Sequence, residues 1–230
     1  MAYGERMSIT DWPPLERPTE KLLHSGAAVL SDAELLAILL QTGIKGKNAL
    51  ELARELIVRF GGLRGIMIAD QRELCGFPGV GQAKAARFAA MREFSQRQML
   101  EQIQDRDILS CSSATRNYLR DRFRHRESEV FCCLFLNNQH HVVKLEEMFQ
   151  GTIDGAAVYP REVVKRCLYH NAAAVIFAHN HPSGVAEPSQ ADIAITRKLK
   201  SALQTIEVRV LDHLIIGDAE VISLAERNLI

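Results

Sequence analysis

From about residue 21 to 100, apolar positions recur every three to four residues, the spacing of helices that bury one face. SDAELLAILLQTG opens on Ser31, carries Glu34 three residues later and closes at Gly43, which predicts a capped helix. NALELARELIVRFGG keeps the same spacing and stops at Gly61-Gly62. DQRELCGFPGVGQAKAARFAAMREFSQRQML predicts a short helix, a glycine-rich turn and a long helix. No strand-like run interrupts this stretch, so 21–100 is expected to be an all-helical domain. A loose, Pro-bearing leader over 1–20 precedes it, and the polar residues 101–107 are expected to form a linker or, in EQIQDRDILS, the tail of the preceding helix.

Beyond the linker the pattern changes. ATRNYLRDRFRHR is helical, and EVFCCLFLNN is a continuous apolar run of strand length. HHVVKLEEMFQGTI predicts one or two further strands. PREVVKRCLYHN predicts a helix with Pro160 in its first turn. AAAVIFAHN is a second buried strand, SQADIAITRKLKSALQ a helix, and EVRVLDHLIIG and EVISLAE are two closing strands. Strands alternating with helices predict an α/β domain on a mixed sheet over 108–230.

Charge and cysteine usage narrow the function. The 28 basic and 28 acidic side chains cancel, and each half of the chain holds 14 of each sign, so any basic surface must be local. The five cysteines, Cys75, Cys111, Cys132, Cys133 and Cys167, form no C-x-x-C. They read as buried reduced thiols of a cytosolic protein, with Cys132 and Cys133 on opposite faces of one strand. The polar N-terminus is unlike a signal peptide, and no apolar run reaches 18 residues. The expectation is a cytoplasmic protein with no membrane partner.

The chemistry concentrates in AVIFAHNHPSGVAEPSQAD, residues 174–192. Along a strand, residues two apart share a face, so His179 and His181 project to the same side of its carboxyl end. Pro182-Ser183-Gly184 turns the chain, and Asp192 falls in the first turn of the next helix. Two imidazoles and a carboxylate are three ligands, and a fourth position open to water is the catalytic zinc arrangement. A simpler reading also fits: histidines at strand ends are usually just hydrogen-bonded, and Ser189-Gln190-Ala191-Asp192 is a capping box in its own right. A zinc hydrolase needs a base as well. Glu129, at the mouth of the first buried strand, is the first candidate and Glu127 the next. Asp212 and His213 in LDHLIIG are candidates to support the ligands from behind, or simply to satisfy a strand end.

Together, Glu129, His179-x-His181-Pro-Ser183 and Ser189-x-x-Asp192 resemble the JAMM motif of MPN-domain metalloproteases. The likeness extends to VYPREVVK, VRVLDHLIIG and RPTEKLLHSGAAVLSDAELLAILLQTG, which resemble the bacterial RadC family from about Arg17 to Ile230. This resemblance implies an MPN fold related to cytidine deaminase architecture, and one zinc per chain on His179, His181 and Asp192. It further implies Glu129 as general acid/base activating water, Ser189 as a hydrogen-bond donor to an oxyanion, and a peptide or isopeptide bond as substrate. The paired H-x-E and P-C-x-x-C signature of nucleobase deaminases is absent.

The helical half carries a rival reading. GFPGVGQAKAARF resembles a helix-hairpin-helix turn, with Gly79 and Gly81 exposing backbone N–H groups and Lys84 and Arg87 adding charge for a phosphate. Residues 79–97 hold Lys84, Arg87, Arg92 and Arg97 against Glu93. The alternative there is a tight turn between packed helices. The arginines of RNYLRDRFRHR read as a solvated helix face. The competing function is thus a DNA-structure-binding protein of repair or recombination whose MPN domain is not a working peptidase. A pure scaffold is a third possibility, against which the intact ligand set weighs.

Overall fold

The computed structural model describes residues 9–104, 108, 112–151 and 158–230. The chain divides between Ser95 and Gln96 into two compact units.

The first unit is helical. After 3-10 turns at Ile9–Asp11 and Pro14–Glu16 come α1 (Pro18–Ser25), α2 (Asp32–Leu40), α3 (Ala49–Phe60), α4 (Leu63–Ile68) and α5 (Gln71–Cys75), and the start of α6 (Gln82–Gln104). Capping boxes start α2 (Ser31 with Glu34), α3 (Asn48 with Glu51) and α5 (Asp70 with Glu73). Each side chain satisfies N–H groups that the first turn leaves unpaired. The core is aliphatic, built on Leu36, Leu40, Leu52, Leu56, Ile66 and Phe88. Ile9 and Trp12, from the segment expected to be a loose leader, pack against it; residues 1–8 of that leader lie outside the described residues.

One boundary differs from expectation, and one open alternative is decided. Helix α2 ends at Leu40 rather than Gly43, because Gln41 adopts φ 64°. Gly43 has a different role: a Cβ there would stand 2.0 Å from the Lys47 carbonyl oxygen, so only glycine lets the two backbones approach. Helix α6 runs on through 101–104, so the start of the polar stretch is a helix tail rather than a linker. Ile103 there is buried, with Met99 and Leu100 packed beside it in the core of the second unit, and burial outweighs the polar composition. Residues 105–107 lie outside the described residues.

In the second unit, α7 (Ser112–Phe123) leads to β1 (Val130–Leu136) and β2 (Val142–Gln150), then α8 (Pro160–Tyr169), β3 (Ala174–Asn180), α9 (Gln190–Gln204), β4 (Arg209–Ile216) and β5 (Val221–Ser223). Among the described residues the sheet order is β2-β1-β3-β4-β5. Only the β3–β4 pair, joined through α9, is parallel. Strands β1 and β3 are buried along their whole length, as their unbroken apolar runs require. Alternation divides their side chains between two cores. Cys132, Leu134, Ile176 and Ala178 face Tyr118, Leu119 and Phe123 of α7. Phe131, Cys133, Phe135, Val175 and Phe177 face Val163 and Cys167 of α8 and Leu199 and Leu203 of α9. Cys132 and Cys133 therefore do point to opposite faces, and burial pushes both thiols above their ordinary pKa. Cys111 lies outside the described residues. No described helix is long and apolar enough to cross a membrane.

Candidate metal centre

The site lies where β3 ends and α9 begins. His179 is the penultimate residue of β3. His181 comes directly after the strand, and its N–H still donates to the Ile216 carbonyl of β4 at 2.9 Å, which prolongs the pairing. A turn closed by Gly184 N–H to the His181 carbonyl (2.9 Å) redirects the chain, with Gly184 at φ 80°. Ser189 then caps α9: its hydroxyl oxygen accepts from Asp192 N–H (3.1 Å), and its own N–H donates to Asp192 Oδ2 (2.7 Å). The capping box and the candidate ligand are thus one carboxylate. Its Oδ2 serves the helix start and also faces His181, while Oδ1 faces His179.

His179, His181 and Asp192 converge. His179 Nε2 lies 3.1 Å from His181 Nε2 and 3.1 Å from Asp192 Oδ1, and His181 Nε2 lies 3.5 Å from Asp192 Oδ2. Donors bound at zinc distances of roughly 2.0–2.1 Å in a tetrahedron stand roughly 3.3–3.4 Å from one another. The two separations from His179 Nε2, to His181 Nε2 and to Asp192 Oδ1, are both 3.1 Å and close to that edge, so the residues fit a small divalent cation. The far nitrogen of each imidazole is held. His181 Nδ1 is 2.8 Å from the Val185 carbonyl oxygen, which can only accept, so the proton sits on Nδ1 and Nε2 faces the site. His179 Nδ1 is 2.8 Å from Nε2 of His213, a fully buried ring.

The electrostatics agree with the geometry. Burial works against charge on Asp192, but the two imidazoles and the Ser189 hydroxyl facing it outweigh that and hold the carboxyl well below the usual carboxylate range. The His181 pKa is raised, first by its hydrogen bond to Asp192 and also by the nearby charge of Glu129. Burial drives His213 well below its ordinary value. Phe131 stacks on His179, with ring centroids 6.2 Å apart, and walls one side of the cluster.

Against known families, residues 109–229 match a model described as a RadC-like JAB domain, and residues 9–86 match one described as UPF0758 N-terminal. The chain belongs to the RadC-like UPF0758 family. A UPF0758 protein of Cellvibrio japonicus is 57% identical over 222 residues, covering 96% of this chain and 99% of the relative. Those of Saccharophagus degradans and Nitrosococcus oceani are 54% and 55% identical over 224 residues, covering 97% of this chain and 100% of each relative. The JAB match and the His-His-Asp cluster together indicate a metallohydrolase-like fold with a site able to hold a metal ion.

Around the RadC-like cluster, Glu129 immediately precedes β1 and is partly buried. The β1–β3 pairing ends at Phe131↔His179, and Glu129 lies close enough to His181 for its charge to help raise that ring's pKa. The Glu129 backbone carbonyl accepts from Gly151 N–H at 2.8 Å. Sequence reasoning missed Asn180, the residue between the histidines. It is buried on the other face of β3, where Oδ1 accepts from Val130 N–H (2.8 Å) and Nδ2 donates to the Arg126 and Ser128 carbonyls (3.3 and 3.2 Å). One amide therefore ties the strand carrying the histidines to the segment carrying Glu129. Strand alternation, which put His179 and His181 on one face, was the available signal for a different role at 180.

Asp212 does not reach the ligands. It accepts from His213 N–H, Ala225 N–H and the Ser223 hydroxyl, tying β4 to β5 and the chain beyond it. In the RadC-like helical unit, Gly79 has φ 94°. Lys84 Nζ donates to the Thr42 and Gly79 carbonyls (2.7 and 2.9 Å), and the Arg87 guanidinium to those of Leu39 and Leu40 (3.4 and 3.3 Å). Both cations thus serve carbonyls at and beyond the end of α2. Gly81 has open space where a Cβ would stand. The arginines after α6 pair with acids of their own unit: Arg116 with Glu226, and Arg122 and Arg126 with Glu147.

Proposed function

We propose that the second unit is a zinc-dependent hydrolase of peptide or isopeptide bonds. The observation that carries this reading is the meeting of two Nε2 atoms and the two oxygens of one carboxylate, with nearest separations of 3.1–3.5 Å, at the carboxyl end of β3. His179, His181 and Asp192 would hold the ion, one per chain. A bound zinc supplies Lewis acidity, polarising a carbonyl and lowering the pKa of water. Glu129, whose charge helps raise the His181 pKa, would take the proton from the attacking water and return it to the leaving amine. Ser189, whose hydroxyl now donates to Asp192 Oδ2 at 2.7 Å, would turn that donor toward the developing oxyanion.

Two kinships named by the resemblance stay as proposals: a cytidine-deaminase-like architecture, supported by the helices on both faces of a mixed sheet, and a helix-hairpin-helix in the first unit. DNA contact through Gly79, Gly81, Lys84 and Arg87 is the secondary proposal, since Lys84 and Arg87 are engaged with backbone carbonyls.

The test is cleavage of a mixed peptide and isopeptide library by the zinc-loaded full chain, read by mass spectrometry beside Glu129→Gln. The reading expects defined cleavage by the wild type, and none by a variant that keeps its zinc. Equal cleavage by both removes Glu129 from the reaction, and no cleavage by the zinc-loaded wild type removes the peptidase.

A further inference from the structure

We propose that Thr196 and His213 form a directed hydrogen-bond relay that fixes the proton of His179 on Nδ1 and so aims its Nε2 lone pair at a bound cation. This rests on the metal reading of His179, His181 and Asp192, and it adds two positioning residues that the motif does not contain.

The direction follows from counting protons. Thr196 is fully buried, one turn along α9 from Asp192, and its hydroxyl reaches the Asp192 backbone carbonyl. A carbonyl only accepts, so the single hydroxyl proton points there. Thr196 Oγ1 also lies within hydrogen-bond distance of His213 Nδ1 and has only acceptance left to offer. His213 must therefore carry a proton on Nδ1. The ring is fully buried, with Phe131 and Phe177 edge-on to it at 5.4 and 5.8 Å, and its hydrogen bonds run to Thr196 and His179 rather than to a carboxylate. A second proton would place an uncompensated charge among apolar rings. His213 Nε2 is thus an acceptor, and the group facing it at 2.8 Å is the His179 Nδ1–H.

The chain of bonds runs from the Asp192 backbone through Thr196 and His213 to His179, whose Nε2 lies 3.1 Å from Asp192 Oδ1, so that both face the place of a shared cation. Two ligands on different elements, β3 and α9, are thereby locked to each other through a third element, β4. His181 needs no such device, because the Val185 carbonyl already holds its Nδ1 proton. Outer partners of this kind typically change metal affinity 10–100-fold when removed.

The test uses the full chain as wild type, Thr196→Val and Thr196→Ser. Zinc affinity is measured by chelator competition, and the ring nitrogens of His179 and His213 are read by nitrogen-15 NMR. The relay predicts protons on Nδ1 of both rings in the zinc-loaded wild type. It also predicts a loss of about 10–100-fold in zinc affinity for Thr196→Val, with affinity restored in Thr196→Ser. A structural role alone would lower the melting temperature without weakening zinc binding in the folded variant. A His213 proton on Nε2 in the wild type overturns the relay whether or not any variant folds, and so does wild-type zinc affinity in Thr196→Val. A wild type that binds no zinc defeats the metal reading instead, and the ring protons of the metal-free protein then decide the relay by itself.

Discussion

The starts of α2 and α9 share a local design. Ser31 and Ser189 each cap a helix, and the acid three residues on, Glu34 or Asp192, reaches back to the backbone N–H of the capping serine. The surroundings differ. Glu34 meets Lys21 at 2.8 Å, an ion pair that fastens α1 to α2. Asp192 meets two imidazoles whose far nitrogens are already engaged. A capping box is therefore no site, and it does not exclude one. What faces the remaining carboxylate oxygen decides.

The comparison can be broken most forcefully by neutralising each acid. Asp192→Asn is expected to weaken zinc binding by more than roughly 100-fold, beyond the usual effect of an outer partner, while Glu34→Gln leaves it unchanged in the same chelator competition. Next in size is Asn180→Ala. It strands the buried Val130 N–H, and the expected loss is about 1–3 kcal/mol of unfolding free energy in urea, with zinc retained. Wild-type stability in this variant would show that the amide does not clamp the Glu129 segment. Removing either serine is milder: Ser31→Ala and Ser189→Ala should each cost about 1 kcal/mol in denaturant titrations. Only Ser189→Ala should also alter zinc affinity, because only its partner faces the imidazoles.

The smallest effect concerns pH. The Lys21 hydrogen bond, with help from the Ser31 N–H, lowers the Glu34 pKa from 4.5 to about 2. A folded-state pKa below the unfolded one stabilises at high pH, so this contribution is full above about pH 4.5 and fades as pH falls toward 2. The melting-temperature gap between wild type and Glu34→Gln should close across that range. A gap that stays constant would mean the Lys21–Glu34 pair contributes nothing to stability.

Much of the fold was legible because unbroken apolar runs and capping boxes are strong local signals; β1, β3 and the starts of α2 and α9 follow from them directly. That His179 and His181 share a side is equally local, a consequence of strand alternation. Other features depend on tertiary contacts that spacing does not encode. Ile103 carries α6 into a stretch whose composition is that of a linker. Lys84 and Arg87 look like a phosphate-binding pair until carbonyls at the end of α2 and just beyond it, more than forty residues earlier, are found against them. Asn180 and Thr196 belong to no motif, and their roles appear only when β1 and β4 are laid beside β3. Thr196 had a faint signal, four residues after Asp192 and so on the same helix face.

The most direct test of the metal centre is the zinc content of the purified full chain, measured by elemental mass spectrometry beside a His179→Ala/His181→Ala double variant, after zinc is offered at neutral pH. The arrangement of His179, His181 and Asp192 predicts about one zinc per wild-type chain, the stoichiometry of a single three-ligand site, and none in the variant. Zinc absent from both, or bound equally by both, would contradict it and return Asp192 to the role Glu34 plays, a helix cap and nothing more.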